Sequence, residues 1–136
     1  MSQDAHAVPS VLMVVDDDAN AAELERAILE PAGYQVLRAN SGPKAIALLE
    51  GGTALDLLIA DLSMPDMGGA EMVRQIRTTR PDLKVLYVTG HIDTLMNVRP
   101  LWEGEAFLEK PITVDSLREA VSMLLYGTPT KPPPRH

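Results

Sequence analysis

Short apolar runs recur along this chain, separated by stretches of helical period. Val11–Val15 is a continuous aliphatic run, Leu57–Ala60 is another, and Lys84–Val88 and Ala106–Glu109 repeat the theme. Each is too short for a typical helix and suits a buried strand. Tyr34–Ala39 is a more polar version and belongs nearer an edge. Between the runs the spacing changes. Ala21, Leu24, Ile28 and Leu29 share a face of a helix over 19–29, closed by Pro31 and Gly33. Ser41 is an N-cap, with Pro43 in the first turn, for a helix through Ala45, Ile46, Leu48 and Leu49 that ends at Gly51-Gly52. Met72, Val73 and Ile76 mark a third helix before Pro81, and Thr113 caps a last one through Leu117, Val121, Leu124 and Leu125. Strands alternating with helices predict a parallel sheet with right-handed crossovers and helices on both faces. The expected fold is α/β, a doubly wound five-stranded parallel sheet of order 2-1-3-4-5. Residues 91–104 fit least well: Met96 and Val98 suit a short helix that Pro100 ends, so an irregular fourth helix is expected there.

At 136 residues the chain is expected to form one domain over 11–126, with a flexible N-terminal extension over 1–10 and a Pro-rich tail over 127–136. No apolar run approaches the ~18 residues of a membrane span. Met1–Ser10 has neither the basic start nor the apolar middle of a signal peptide. The absence of cysteine excludes disulfides and thiolate metal sites and suits a cytoplasmic location. With 19 Asp plus Glu against 12 Lys plus Arg, the net charge of −7 argues against nucleic-acid binding, which depends on neutralising phosphates. Some of that acidity is concentrated in Asp16-Asp17-Asp18.

Four of the five strands end in a usable head group: Asp16 with Asp17, then Asp61, Thr89 and Lys110. In the 2-1-3-4-5 order the first and third strands meet at the topological switch point, which places the acidic run and Asp61 across one crevice. Clustered carboxylates repel one another, and a cation resolves the conflict. Mg²⁺ takes oxygen ligands and is typically held by one or two carboxylates with phosphate and water. A lysine adds a compact positive charge for phosphate oxygens, and a threonine hydroxyl adds a hydrogen bond. The set reads as a phosphoryl-transfer site with Asp61 as the nucleophile, forming an aspartyl-phosphate.

These residues resemble the receiver domain of bacterial two-component response regulators, a flavodoxin-like fold. The likeness is carried by Val14-Val15-Asp16-Asp17, Asp61-Leu62-Ser63-Met64-Pro65, Val88-Thr89-Gly90 and Lys110-Pro111, and covers about residues 10–126. It implies a stand-alone response regulator in a phosphorelay, a phosphoprotein whose Asp61 accepts a phosphoryl group from a sensor histidine kinase. It implies that Asp16, Asp17, Asp61 and the backbone carbonyl of Ser63 bind Mg²⁺. Lys110 would contact the phosphoryl group, Thr89 would bond to it on activation, and Phe107 would be the switch aromatic that changes rotamer with Thr89. The Lys110-Pro111 bond is expected to be cis. Such a protein catalyses only its own phosphorylation and dephosphorylation, and signals through a downstream protein or a phosphotransfer partner. Dimerisation through the signalling face or the last helix fits the family, although no residue here supports it.

The chain departs from the family pattern at three places. Phe107 lacks the hydroxyl of the frequent tyrosine, Gly68 stands where many relatives carry a polar residue, and Pro100 interrupts the fourth-helix region. Taken singly, Asp61 would be a solvated strand-end residue and Lys110 a surface lysine. Asp18 reads as a first-turn helix residue favoured by the dipole rather than as a third ligand. His91 and the Ser63 side chain are candidates for tuning phosphoryl lifetime, with a plain loop role as the simpler reading. Trp102, Leu101 and Met96 suit core packing as well as a partner surface. Two alternatives remain. One is a Mg²⁺-dependent phosphohydrolase of the haloacid-dehalogenase type, with Asp16 as nucleophile and Asp18 as acid. The other is a receiver excised from a hybrid histidine kinase.

Overall fold

The computed structural model describes residues 9–62, 64, 67–90 and 104–128. Strands β1 (Val11–Val15), β2 (Gln35–Ala39), β3 (Leu57–Asp61), β4 (Lys84–Thr89) and β5 (Glu105–Glu109) form one sheet. Every pairing is parallel, as the alternation predicts, and the order is the expected β2-β1-β3-β4-β5. The described α-helices are α1 (Ala19–Leu29), α2 (Gly42–Glu50), α3 (Gly69–Ile76) and α4 (Val114–Tyr126). The irregular helix expected over 91–104 falls, but for Gly104, outside the described residues, as do Ser63, Pro65, His91, Met96, Pro100, Leu101 and Trp102.

Strand periodicity of two divides the core into two layers. Met13, Val15, Leu58, Ala60 and Val85 face α2 and α3, through Ala45, Leu49, Met72 and Val73. Leu12, Val14, Leu57, Ile59 and Leu86 face α1 and α4, through Ile28, Leu29, Leu117 and Val121. Because both faces are covered, β1 is apolar throughout and β3 is apolar up to its last residue, Asp61. Each fully buried Leu or Ile stabilises the fold by roughly 1.5–3 kcal/mol relative to exposure.

Helix boundaries follow local chemistry. Asp18 is the N-cap of α1, its Oδ1 accepting from the amides of Asn20 at 2.9 Å and Ala21 at 3.4 Å. Ser41 caps α2 by accepting from the Lys44 amide at 3.3 Å. Thr113 and Ser116 form a reciprocal capping box at the start of α4, and Gly127, at φ 77°, closes it in the left-handed region. Arg118 of α4 donates from Nε and Nη2 to the carbonyl oxygen of Ile28, at 3.0 and 2.9 Å. That carbonyl lies in the last turn of α1, where the helix itself supplies few partners.

The buried stripe of α1 differs from the one expected. Ala22, Glu25, Ile28 and Leu29 face the core, whereas Leu24 is 49% exposed and Ala21 only half-buried. The helix is rotated so that 22, 25 and 29 form the i, i+3, i+7 ridge, and a glutamate takes a core position.

Candidate functional site

Register brings the strand ends to one rim. Val15 pairs with Ala60, which sets Asp16 level with Asp61, and Asp61 pairs with Val88, which sets Thr89 one residue further out. Thr89 pairs with Glu109, and the Lys110 amide donates to the Thr89 carbonyl at 2.8 Å. The chain then turns through a cis Lys110–Pro111 bond. Four strands thus deliver Asp16, Asp17, Asp61, Thr89 and Lys110 to the carboxyl end of the sheet, where open α/β folds place their ligands.

Asp16 and Asp61 are buried, at 2% and 4% exposure, while Asp17 faces solvent. Lys110 reaches over both, its Nζ 3.8 Å from Asp61 Oδ1 and 3.9 Å from Asp16 Oδ2. Those distances exceed the 2.7–2.9 Å typical of a charge-assisted hydrogen bond. The ammonium therefore faces the pair of carboxylates without closing onto either. Asp16 Oδ1 accepts from the Asp18 amide at 2.9 Å, whereas its Oδ2 is buried and accepts no hydrogen bond among the described residues.

Burial pushes the Asp16 carboxyl up to about 6; the Asp18 amide pulls it down, Asp61 pushes it up again, and Lys110 offsets part of that. Glu25 lies under the same site from α1 and is pushed up to about 8, chiefly by burial and then by the charge on Asp16. It lines a cavity of about 470 Å³ with Leu24, Lys110, Pro111 and Ile112. Glu25 was invisible as a site residue in the sequence, since a glutamate within a helical pattern reads as surface. The only available signal was its place on the 22-25-29 ridge.

One oxygen from each of Asp16, Asp17 and Asp61 lies within 4.8 Å of the others. Ligands at 2.0–2.1 Å from a shared ion sit at most about 4.2 Å apart, so small side-chain adjustments bring these oxygens onto one small divalent cation. The donor set is all carboxylate oxygen, which suits a hard cation such as Mg²⁺, and Asp16 Oδ2 is the orphaned acceptor such an ion would satisfy. The carbonyl of Ser63 lies outside the described residues. Asp18 uses its side chain as the α1 cap and is not part of this set.

Thr89 is buried at the end of β4. Phe107 is half-buried on β5, with its ring 5.4 Å from that of Tyr87. The Gly68-Gly69 bend has a clear place: Gly68 is the N-cap of α3 and contributes no side-chain cap, and Gly69 packs directly on the backbone of Asp61 and Leu62.

A family profile described as the response regulator receiver domain matches residues 12–122. The chain is 35% identical over 118 residues to the sensor kinase CckA of Brucella abortus, covering 85% of this chain and 12% of that one. It is 37% identical over 112 residues to the C4-dicarboxylate transport transcriptional regulatory protein DctD of Rhizobium meliloti, covering 82% and 24% respectively. The chain thus spans less than a quarter of the length of either relative. Among solved structures, response regulator TrrA of Thermotoga maritima, in complex with Mg²⁺ and BeF, superposes with a TM-score of 0.73 at 28% identity, covering 85% of this chain and 99% of that one.

Proposed function

Since the chain belongs to the response regulator receiver family of two-component phosphorelay signalling, we propose that Asp61 is its phosphoacceptor and that a sensor histidine kinase is the donor. An Asp61 carboxylate oxygen attacks the phosphorus of a phosphohistidine. The new P–O bond forms as the P–N bond breaks, and the imidazole leaves with the electron pair. The observation that carries this reading is the position of Lys110, 3.8 Å from Asp61 and 3.9 Å from Asp16 at the sheet's carboxyl end. There its charge meets the oxygens of a transferring phosphoryl group, where positioning and neutralisation supply most of the rate.

Asp16, Asp17 and Asp61 would hold Mg²⁺, with the Ser63 carbonyl as a further ligand. When bound, the ion offsets the charge that the carboxylates and the phosphoryl group bring together. Asp16 supplies a buried oxygen that accepts no hydrogen bond among the described residues, and Asp17 supplies a solvent-facing one. Thr89 donates its hydroxyl to the phosphoryl group, and Phe107 repacks with it, shifting the balance between two arrangements of the partner-binding face. The chain catalyses no reaction on other molecules. It acts through a downstream protein or phosphotransfer partner rather than nucleic acid, and in the cytoplasm. No helix among the described residues is long and apolar enough to cross a membrane. The hydrolase alternative is disfavoured because Asp18, its required acid, is occupied as a helix cap.

Labelling with radioactive acetyl phosphate in Mg²⁺ tests the assignment. Wild type and Asp17→Asn should differ in rate, and Asp61→Asn should take up no label. If D61N is labelled while D16N is not, Asp16 is the nucleophile and the receiver reading fails.

A further inference from the structure

The chemistry above makes no use of a buried charged group on the α3 side of the sheet. Glu105 opens β5 with a side chain fully out of solvent. Its Oε2 accepts from Arg77 Nη1 at 2.5 Å and from the Tyr87 hydroxyl at 3.2 Å. Arg77 caps the end of α3 and also donates from Nη2 to the Leu83 carbonyl at 2.9 Å. One carboxylate therefore ties together the end of α3, the middle of β4 and the start of β5. A buried ion pair adds little net stability over an apolar filling, and its best-attested use is to hold one arrangement against others.

Tyr87 connects this group to the switch. It pairs with Phe107 in the β4–β5 register, and the two rings lie 5.4 Å apart at 36°. It is two residues before Thr89 and so shares a strand face with it. One side of the Tyr87 ring thus supports Phe107 while its hydroxyl is held by Glu105. Tyr87 also lines a cavity of about 520 Å³ beside α3, with Val73 and Arg77.

We infer that Tyr87 is a positioning residue for the switch. Its bond to the Arg77–Glu105 pair holds the ring beside Phe107 in the resting arrangement, so Phe107 repacks only when the Tyr87 ring yields. This rests on the assignment of Thr89 and Phe107 as the switch pair. Tyr87→Phe keeps the ring and removes the bond. A second variant, Arg77→Met with Glu105→Met, removes the buried charges together with the acceptor. Each is titrated with beryllofluoride in saturating Mg²⁺, following the amide resonances of Thr89 and Phe107, alongside urea unfolding. Both variants should bind about fivefold more tightly than wild type, the equivalent of one lost hydrogen bond in the resting state. Their ligand-free resonances should lie part-way toward the bound wild-type positions. Unchanged or weaker binding, with only the urea midpoint moved, overturns the inference and leaves the switch reading intact. Wild-type resonances that do not respond to beryllofluoride overturn both.

Discussion

A β-carbon at Gly69 would stand 2.5 Å from the carbonyl oxygen of Asp61. The first residue of α3 is therefore pressed against the backbone of the residue assigned as phosphoacceptor, closer than any side chain permits. The neighbouring atoms are main chain on the last residue of a central strand, so they have little freedom to retreat. Gly69→Ala should push α3 off the end of β3. The expected cost is about 1–3 kcal/mol, as for overpacking in a filled core, read as a lower urea midpoint. Labelling by acetyl phosphate should slow in the same variant, because Asp61 moves with its carbonyl. Gly68→Ala is the control: its β-carbon would meet the Leu62 carbonyl at an ordinary 3.5 Å.

Removing the Lys110 charge should leave Asp16 and Asp61 facing one another without a cation. Lys110→Met is expected to slow phosphoryl uptake about a hundredfold, the usual cost of one electrostatic partner of the transition state. The Asp16 carboxyl, which Lys110 holds down, should titrate at higher pH in this variant. Carboxyl carbon resonances followed against pH check the second outcome independently of the first.

Magnesium binding should be proton-linked. A carboxyl at about 6 must lose its proton before it can serve as a ligand. Apparent Mg²⁺ affinity is therefore expected to be flat above pH 7 and to fall by up to about tenfold per pH unit below pH 6. Calorimetric titration at several pH values measures this. A constant affinity down to pH 5 would show that no carboxyl ligand of the ion titrates near 6.

Glu25 should make the fold less stable as pH rises. Its carboxyl is raised from 4.5 to about 8 in the folded chain, so between those values the folded state holds a proton that the unfolded state has lost. The favourable contribution is full below pH 4.5 and declines through the window to pH 8, with a slope of at most roughly 1.4 kcal/mol per pH unit. Asp16, raised in the same direction, contributes a similar decline over the lower part of that window. Glu25→Gln keeps the shape and removes the titration. Urea midpoints of E25Q should exceed those of wild type at pH 8 and fall less steeply between pH 6 and 8.

Much of the architecture was legible because it depends on short-range pattern. Val11–Val15 and Leu57–Ala60 are apolar runs whose length decides strand over helix, and where each run stops decides which residue stands at the sheet's rim. Asp16, Asp61, Thr89 and Lys110 could therefore be assigned to one rim before any distance was known. Ser41 and Thr113 announced their helices because a cap acts on amides two or three residues away.

Other features had no local signature. Leu24 and Glu25 are adjacent, and nothing in the helical pattern decides which turns inward; the packing of α1 on the sheet and α4 buries the glutamate and exposes the leucine. Arg77 and Glu105 are 28 residues apart, and their pairing exists only once β4 and β5 are side by side. Nothing in the local sequence explains Gly69; its reason is the end of β3 packed against it.

The sequence by itself determined the fold class and the identity of the groups at the strand ends, because period, run length and cap chemistry act within a few residues, while the strand order came from the receiver resemblance. Tertiary structure alone decided the 3.8 Å approach of Lys110 to Asp61, the orphaned oxygen of Asp16 and the burial of Glu25 and Glu105. Those depend on close packing between distant segments, where a shift of one ångström changes which charges meet and which are cut off from water.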